Sequence, residues 1–546
     1  MRECSVQLKA WDQCGGKSGA DCPGPKCIAG PWPGHCCPQG YECTRNDDYY
    51  FNCQNRMVGG GGADAGGAGK GAAAPRRVAP LPAVPARRAP NGDPAYGDVL
   101  SLSFLFYEAQ RSGKLPPGNR IAWRGDSGLL DRAPDGRDVT GGWYDAGDNV
   151  KFNLPMAWTA GALAWGVFEF REEYIAAKQY DAALDSIKWA TDYFIKCIGD
   201  GTEIVGQVGN GESDHKSWVR PEDKTAPNPV YTVTPDRPGS DVAGAMSAAL
   251  AAASVVFSDV DPAYSAQLLA AALRGYDFAT RYRGLYNAAI PDAAQFYKSN
   301  NFYDDLAWAA IWLGVRTGQP RYREAARQFY SAHWQTEHLK DPVWNNYDWD
   351  SNSWGVVVVL SRWFPEEPFY KARMAEFVND WLAGGRWITK TPKGLGFSSN
   401  WGSLRHVGNA LFLMKAYAHG AGDPALERRV DCFAHNQLNY ILGGVTGRSY
   451  VVGYGPNPPT QPHHRGASCP MLGQECTWDF FQSRLPNPHT LYGALVGGPD
   501  GDDVYEDNRN NFMQNEVAVD YNGGFTGILA AMTKPTVTAA ECGGRY

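Results

Sequence analysis

The sequence predicts an all-α domain over residues 95–535. A small disulfide-rich module precedes it at 1–56, a linker joins the two at 57–94, and a tail follows at 536–546. Three observations carry this division. From Tyr96 onward, apolar residues recur every three or four positions in one segment after another, the spacing of a helix face. Two-residue alternation, the mark of a half-buried strand, is scarce in the same stretch. Eight of the thirteen cysteines, from Cys4 to Cys53, crowd the first tenth of the chain.

The cysteine-dense segment is rich in Gly and Pro and too short to bury a stabilising core, so disulfides would supply the framework. A zinc module is the alternative, with His35 as its single histidine. Disulfides imply an oxidising compartment and a secreted protein. "MRECSVQLKA" lacks the apolar core of a signal peptide, so the expectation is a secreted chain whose leader lies outside this sequence. The linker then reads as two textures. "GGGGADAGGAGKGAAAP" is flexible and "RRVAPLPAVPARRAP" is stiffer and extended.

The helical segments include "AWTAGALAWGVFEFREEY", "DAALDSIKWATDYFIKC", "DVAGAMSAALAAASVVF", "AYSAQLLAAALRGYDFATRY", "LAWAAIWLGVRTG", "RYREAARQFYSAHW", "ARMAEFVNDWLAGG" and "RRVDCFAHNQLNYILG". Several are apolar on more than one face, which predicts helices packed on both sides. Long loops rich in Gly, Pro, Asn and aromatics join them, and loops of that length in a compact domain usually carry function. A chain of this size often divides its core, yet no second linker interrupts 95–535.

Composition excludes some partners. The formal net charge is -7, whereas nucleic-acid binding favours a basic face. No apolar run of about 18 residues is present to span a membrane. A nucleotide-binding P-loop, a G-x-S-x-G nucleophile turn and an H-E-x-x-H zinc motif are all missing.

Four stretches carry chemistry. In "GGWYDAGDNVKFNLP", Asp145 and Asp148 lie in a Gly-rich loop ahead of a helix whose first turn suits Pro155. Backbone N–H groups around such a carboxylate keep its pKa low, so it stays ionised and can take a proton from water; a capped turn is the alternative. In "VYEDNRNNFMQNEVAVDYNGG", Glu516 stands among Phe512, Met513 and Tyr521, where desolvation would raise its pKa as a general acid requires. The alternative is a first-turn Glu favoured by the helix dipole. "PHHRG" sets His463, His464 and Arg465 in a Pro-rich loop. Adjacent histidines of an extended chain point apart, so they suit hydrogen bonding to a polar ligand better than one metal. "WGSLRH" pairs Trp401 with Arg405, either as a stacking face or as core.

Taken together, these stretches resemble glycoside hydrolase family 9, the inverting cellulases. The likeness runs from Tyr96 to Met532 and includes "LSFLFYEAQRSGKLPPGNRIAWRGDSGL", "VGNGESDHKSWVRPED", "GSDVAGAMSAALAAAS", "SYVVGYGPNPPTQPHHR" and the spacing Asp507, Arg509, Phe512, Glu516. The resemblance implies an (α/α)6 barrel, two concentric rings of six helices, which reconciles the size with a single domain. It implies Asp148 as general base, Asp145 as a holder of the same water, and Glu516 as general acid. Inversion places the two working carboxyls roughly 6.5–9.5 Å apart. It further implies His463, Arg465, Trp401, Arg405, Tyr505 and Asp507 as substrate-binding residues, with Trp143, Tyr144, His215 and Trp218 as weaker carry-overs. The substrate implied is cellulose or another β-1,4-glucan, handled by a monomer with no cofactor in the chemistry.

Some members hold structural calcium, and "NNFYDDLAW" matches that loop in part, offering Asp304, Asp305 and Asp350 as oxygen ligands. Asn300 and Asn301 stand where the family has Ser-Gly, and Asp305 where it has Glu. Cys469 and Cys476 match a cysteine pair of some members, implying a loop disulfide; Cys197, Cys432 and Cys542 have no evident partner. The first module partly resembles a family 1 cellulose-binding module through "WDQCGG", "YYFNC" and the spacing of Cys37, Cys43 and Cys53. That likeness makes Trp11, Tyr49 and Tyr50 a flat stacking face. Extra cysteines, an insertion around residues 23–33 and Asp47 in place of Asn depart from that family, and a Cys-rich domain that binds a protein is the alternative. Two rivals remain for the whole chain: a carbohydrate-binding wall protein with an inactive barrel, and an enzyme for another β-glucan or for chitin-derived oligosaccharides.

Overall fold

The computed structural model describes residues 94–337 and 346–543, together with the backbone of five short strands between residues 6 and 55. The chain divides into two compact units, residues 1–77 and 78–546. In the first, strands Gln13–Gly15, Phe51–Asn55 and Tyr41–Arg45 form one antiparallel sheet with Cys43 opposite Cys53. The expected disulfide framework of this module and the stacking residues Trp11, Tyr49 and Tyr50 lie outside the described residues.

In the second unit, twelve helices of eleven residues or more stand among the described residues. They are α1 (Tyr96–Ala109), α2 (Asn153–Glu169), α3 (Tyr180–Ile198), α4 (Ser240–Val256), α5 (Pro262–Arg281) and α6 (Tyr303–Thr317). The series continues with α7 (Pro320–Glu337), α8 (Ser353–Trp363), α9 (Pro368–Ala383), α10 (Ser403–Ala421), α11 (Pro424–Ile441) and α12 (Val519–Ala531). The even-numbered helices close a ring: α2 packs on α4, α4 on α6, α6 on α8, α8 on α10, α10 on α12, and α12 back on α2. The odd-numbered helices lie against the outside of this ring, α3 on α2 and α4, α5 on α4 and α6, α7 on α6 and α8, α9 on α8 and α10.

The sequence explains the two rings. Every residue of α12 is buried, and all of α4 except Val255. Such helices are covered on both sides, and they are built from Ala, Gly and Ser so that neighbours approach closely. Gly524 shows the need: a Cβ there would stand 2.5 Å from the Asn409 Cα of α10. The outer helices α3, α5 and α11 bury one face only. Two of them start at Asp-Pro, where Asp261 and Asp423 accept from free N–H groups of the first turn and Pro262 and Pro424 give up none.

Two expectations about covalent organisation change. Cys432 of α11 pairs with Cys542, while Cys197 is a free, buried thiol. Residues 536–543, expected as a tail, are fastened to the domain. That disulfide holds the segment's end, Asp431 Oδ2 accepts from the Thr536 N–H at 2.7 Å at its start, and His435 Nε2 donates to the Val537 carbonyl at 2.9 Å between them. Spacing could not show this pairing because the fold brings together cysteines 110 positions apart. The Cys469–Cys476 disulfide forms as expected.

Candidate active site

Connections from inner to outer helices are short, as in residues 257–261, 318–319 and 422–423. Those from outer to inner helices are long, and each runs into the N-terminus of an inner helix. The three candidate acids and most of the candidate substrate-binding residues fall on these long connections, while Arg405 lies in the first turn of α10. Asp145 and Asp148 precede α2, Asp214 and His215 precede α4, Tyr297 precedes α6, Trp401 precedes α10, and His463, Arg465 and Glu516 precede α12.

Backbone hydrogen bonds join two of these connections, the one ahead of α2 and the one ahead of α12. The Arg465 N–H donates to the Gly147 carbonyl at 2.9 Å, His463 N–H to the Asn515 carbonyl at 2.8 Å, and Val519 N–H to the Asp145 carbonyl at 2.8 Å. Gly147 is required for this approach, since a Cβ at that position would lie 2.1 Å from the His463 carbonyl oxygen. Behind the loop, Lys151–Phe152 pairs with Ile204–Val208, which pairs with Val230–Val233, a small antiparallel sheet that fixes where the loop enters α2. Pro155 lies in the first turn of α2 as expected.

Asp145 is 1 % exposed. Its Oδ2 accepts from the Tyr297 hydroxyl, and its Oδ1 has no hydrogen-bond partner among the described residues. Burial, then repulsion from Asp148 and Asp520, holds its pKa well above the carboxylate range. Asp148 accepts from the Ala146 N–H at 3.3 Å. The expectation of a low pKa for Asp148 is corrected: desolvation raises it, and the nearby Asp214 raises it further, while His215, Arg465 and the Ala146 N–H pull the other way. A single backbone donor does not compensate for a second carboxylate brought in on a different loop.

Glu516 is half-buried, and its pKa is pushed up to about 7, first by desolvation. Its Oε2 accepts from Trp401 Nε1 at 3.1 Å and from the Tyr521 hydroxyl at 3.2 Å. The pocket is therefore made by Trp401 and Tyr521, whereas Phe512 and Met513, expected to cover the carboxyl, are exposed. Trp401 itself is 45 % exposed, not core. Glu516 ends the short helix Phe512–Asn515 and does not occupy a first turn of α12.

His463 donates from Nδ1 to the Arg509 carbonyl at 2.8 Å, and burial pushes its pKa down to about 4, so it is neutral with Nε2 as an acceptor. Arg465 is 2 % exposed and forms an ion pair with Asp214, which also accepts from Lys224 at 3.0 Å. The remaining predicted residues turn largely to the protein. Arg405 Nη1 donates to Asp520 at 3.1 Å, Tyr505 to Asn515 at 2.5 Å, and Asp507 accepts from the Thr460 and Gln461 N–H groups. Trp143 and Tyr144 are core, Trp218 is buried against His463, and His215 is exposed beside Phe296. Sequence reading missed Tyr297 and Asp214. Asp214 lay inside a matched block, while nothing in "AAQFYKSN" pointed to Tyr297.

Asp304, Asp305 and Asp350 share an acidic patch with Asp241 at the start of α6, where burial and mutual repulsion raise Asp305 and Asp350 well above the usual range. Their donor chemistry suits calcium, but their arrangement does not. Asp304 and Asp305 accept from Asn352, and Asp350 accepts from Asn300 at two atoms. Among the described residues, the donor atoms that gather within 4.8 Å of one another are those of Asp148, Asp214 and His215. There Arg465 and Lys224 already supply the positive charge. Calcium needs six to eight oxygens converging on one point, and as folded these three aspartates do not form that shell.

A ring of helices that carries an aspartate pair and a desolvated glutamate on its long loops has the groups that carboxyl acid–base chemistry requires. Residues 96–529 match Glycosyl hydrolase family 9. Endoglucanase A of Bacillus pumilus is 42% identical over 454 residues, which is 80% of this chain and 66% of that protein, so the chain spans about two thirds of its length. Endoglucanase 5 of Arabidopsis thaliana is 39% identical over 80% of this chain and 74% of its own. Among solved structures, an endoglucanase of the termite Nasutitermes takasagoensis superposes with a TM-score of 0.76 at 46% identity, over 80% of this chain and 98% of that one. A cellulase of C. cellulolyticum in complex with cellobiose gives 0.73 at 34% identity, over 80% and 97%. The chain belongs to glycosyl hydrolase family 9.

Proposed function

We propose that the chain is an endo-β-1,4-glucanase, a cellulase, built on an (α/α)6 barrel and acting with inversion. The observation that carries this reading is the unequal setting of the site's carboxyl groups. The donors to Glu516 among the described residues, Trp401 and Tyr521, are neutral, and with a pKa of about 7 it holds a proton to give to the leaving glycosidic oxygen. Asp148 has Arg465 and a backbone N–H favouring its ionised form, so it takes the proton of the attacking water. The free Oδ1 of Asp145 offers that water a second acceptor. An inverting path needs about 6.5–9.5 Å between the working carboxyls. The half-exposed Trp401 stacks a glucosyl ring next to the acid, and no cofactor enters the chemistry. The relatives' names, endoglucanase and cellulase, support the substrate class.

Release of reducing ends from soluble carboxymethylcellulose by the pure protein is the test. Glu516→Gln and Asp148→Asn should each lower kcat at least a hundredfold with the circular dichroism unchanged. Activity above a tenth of wild type in either variant would contradict the assignment. The wall-protein rival predicts cellulose binding with no release, and a panel of β-glucans and chitin oligosaccharides separates the other. The reading extends to a secreted monomer whose first module holds crystalline cellulose. Deleting residues 1–56 should weaken pull-down by crystalline cellulose and spare soluble substrate, and an unchanged pull-down rejects that role.

A further inference from the structure

Gln110 follows the last turn of α1 and is 1 % exposed. Nothing in the catalytic proposal uses it, yet its side chain reaches the backbone of the base loop. Its Nε2 donates to the Ala146 carbonyl at 2.7 Å and lies 3.2 and 3.3 Å from the carbonyls of Tyr144 and Asp145. Its Oε1 sits 2.8 Å from His464 Nε2. The direction of this second contact is fixed. His464 Nδ1 accepts from the Ala467 N–H at 2.9 Å, so the ring proton of the neutral imidazole is on Nε2 and donates to Gln110. That in turn leaves the Gln110 amide nitrogen, with its two hydrogens, facing the carbonyls.

The peptide joining Asp145 to Ala146 is planar and trans, so its C=O and N–H point in opposite directions. Its carbonyl is held on one side by Gln110 and by the Val519 N–H at 2.8 Å. Its N–H therefore points the other way, onto Asp148 Oδ1 at 3.3 Å. We infer that Gln110, oriented by His464, is a positioning residue for Asp148: it fixes the Asp145–Ala146 peptide so that the Ala146 N–H meets the Asp148 carboxylate. The inference rests on Asp148 being the base. It gives the second histidine of the pair an inward task, distinct from that of His463.

Loss of the N–H contact would make Asp148 harder to ionise. The charged and titratable groups facing Asp148 are Asp214, His215 and Arg465 from the loop contacts, with Asp145 and Glu516 nearby, and all are unchanged by substitution at Gln110.

The experiment is a pH profile of kcat and KM on a soluble cello-oligosaccharide. Gln110→Leu should lower kcat about tenfold with KM within about twofold, and should move the acid limb of kcat/KM up by roughly half to one pH unit. Gln110→Met, which is close to glutamine in size, uncharged and without the amide donor, should do the same. A second pair guards against misfolding. His464→Gln retains a donor near the Nε2 position and should keep the wild-type acid limb, whereas His464→Asn should shift it upward. A lowered Tm with an unmoved acid limb in all variants would overturn the inference and leave Gln110 a packing residue. Full activity of Asp148→Asn would instead overturn the catalytic reading beneath it.

Discussion

At the scale of single residues, two carboxyl groups of the same chemistry receive different work from their neighbours. As the proposed general acid, Glu516 acts in its protonated form, so activity should fall as pH rises through about 7. As the proposed base, Asp148 acts ionised, so activity should fall as pH drops through a pKa that its burial and Asp214 hold above the usual carboxylate range. A bell-shaped kcat/KM follows. Trp401 tunes its alkaline side. The indole N–H stabilises the ionised glutamate and so lowers its pKa. Trp401→Phe removes that donor, and the alkaline limb should move to higher pH, whatever happens to KM. A limb that stays in place or moves down would show that the indole does not act on the acid. Glu516 could be read from its sequence because its apolar neighbour Tyr521 lies five residues away. The pKa of Asp148 could not, because Asp214 arrives from a loop more than sixty positions distant.

At the scale of elements, the sequence is most legible where a helix has one wet face. The outer helices α3, α5, α7 and α11 fall where apolar spacing puts them. Of the inner helices, which are covered all round, α2, α4 and α6 also coincide with predicted segments, whereas α8 does not. "SWGVVVVLSRW" carries four successive valines, residues that favour strands, yet it forms α8 because burial on both sides outweighs propensity. The run from Ala157 to Tyr174 reads as one helix but breaks after Glu169. Close crossings of the inner helices depend on glycine, and this gives a test of the ring. Gly524→Ala would drive a methyl group into the backbone of α10 at Asn409. It should destabilise the domain by about 1–3 kcal/mol in denaturant unfolding, although Ala favours helix on propensity alone. A neutral or stabilising effect would mean that α10 and α12 are not packed this closely.

At the scale of the whole molecule, the long connections all enter inner helices at their N-termini, so residues from distant loops converge at one end of the ring. This is why motifs scattered from Asp145 to Glu516 make one site. The loops themselves are stitched by backbone hydrogen bonds, as from Arg465 to Gly147, that leave little trace in side-chain patterns. The inward roles of Gln110 and His464, and the Tyr297 contact to Asp145, were illegible for that reason. The central claim is that Asp148 drives water onto the anomeric carbon while Glu516 protonates the departing oxygen, in a single displacement. Proton NMR of freshly released cello-oligosaccharide, recorded before mutarotation, tests it most directly. A single displacement releases the α-anomer as first product, and release of the β-anomer would rule it out.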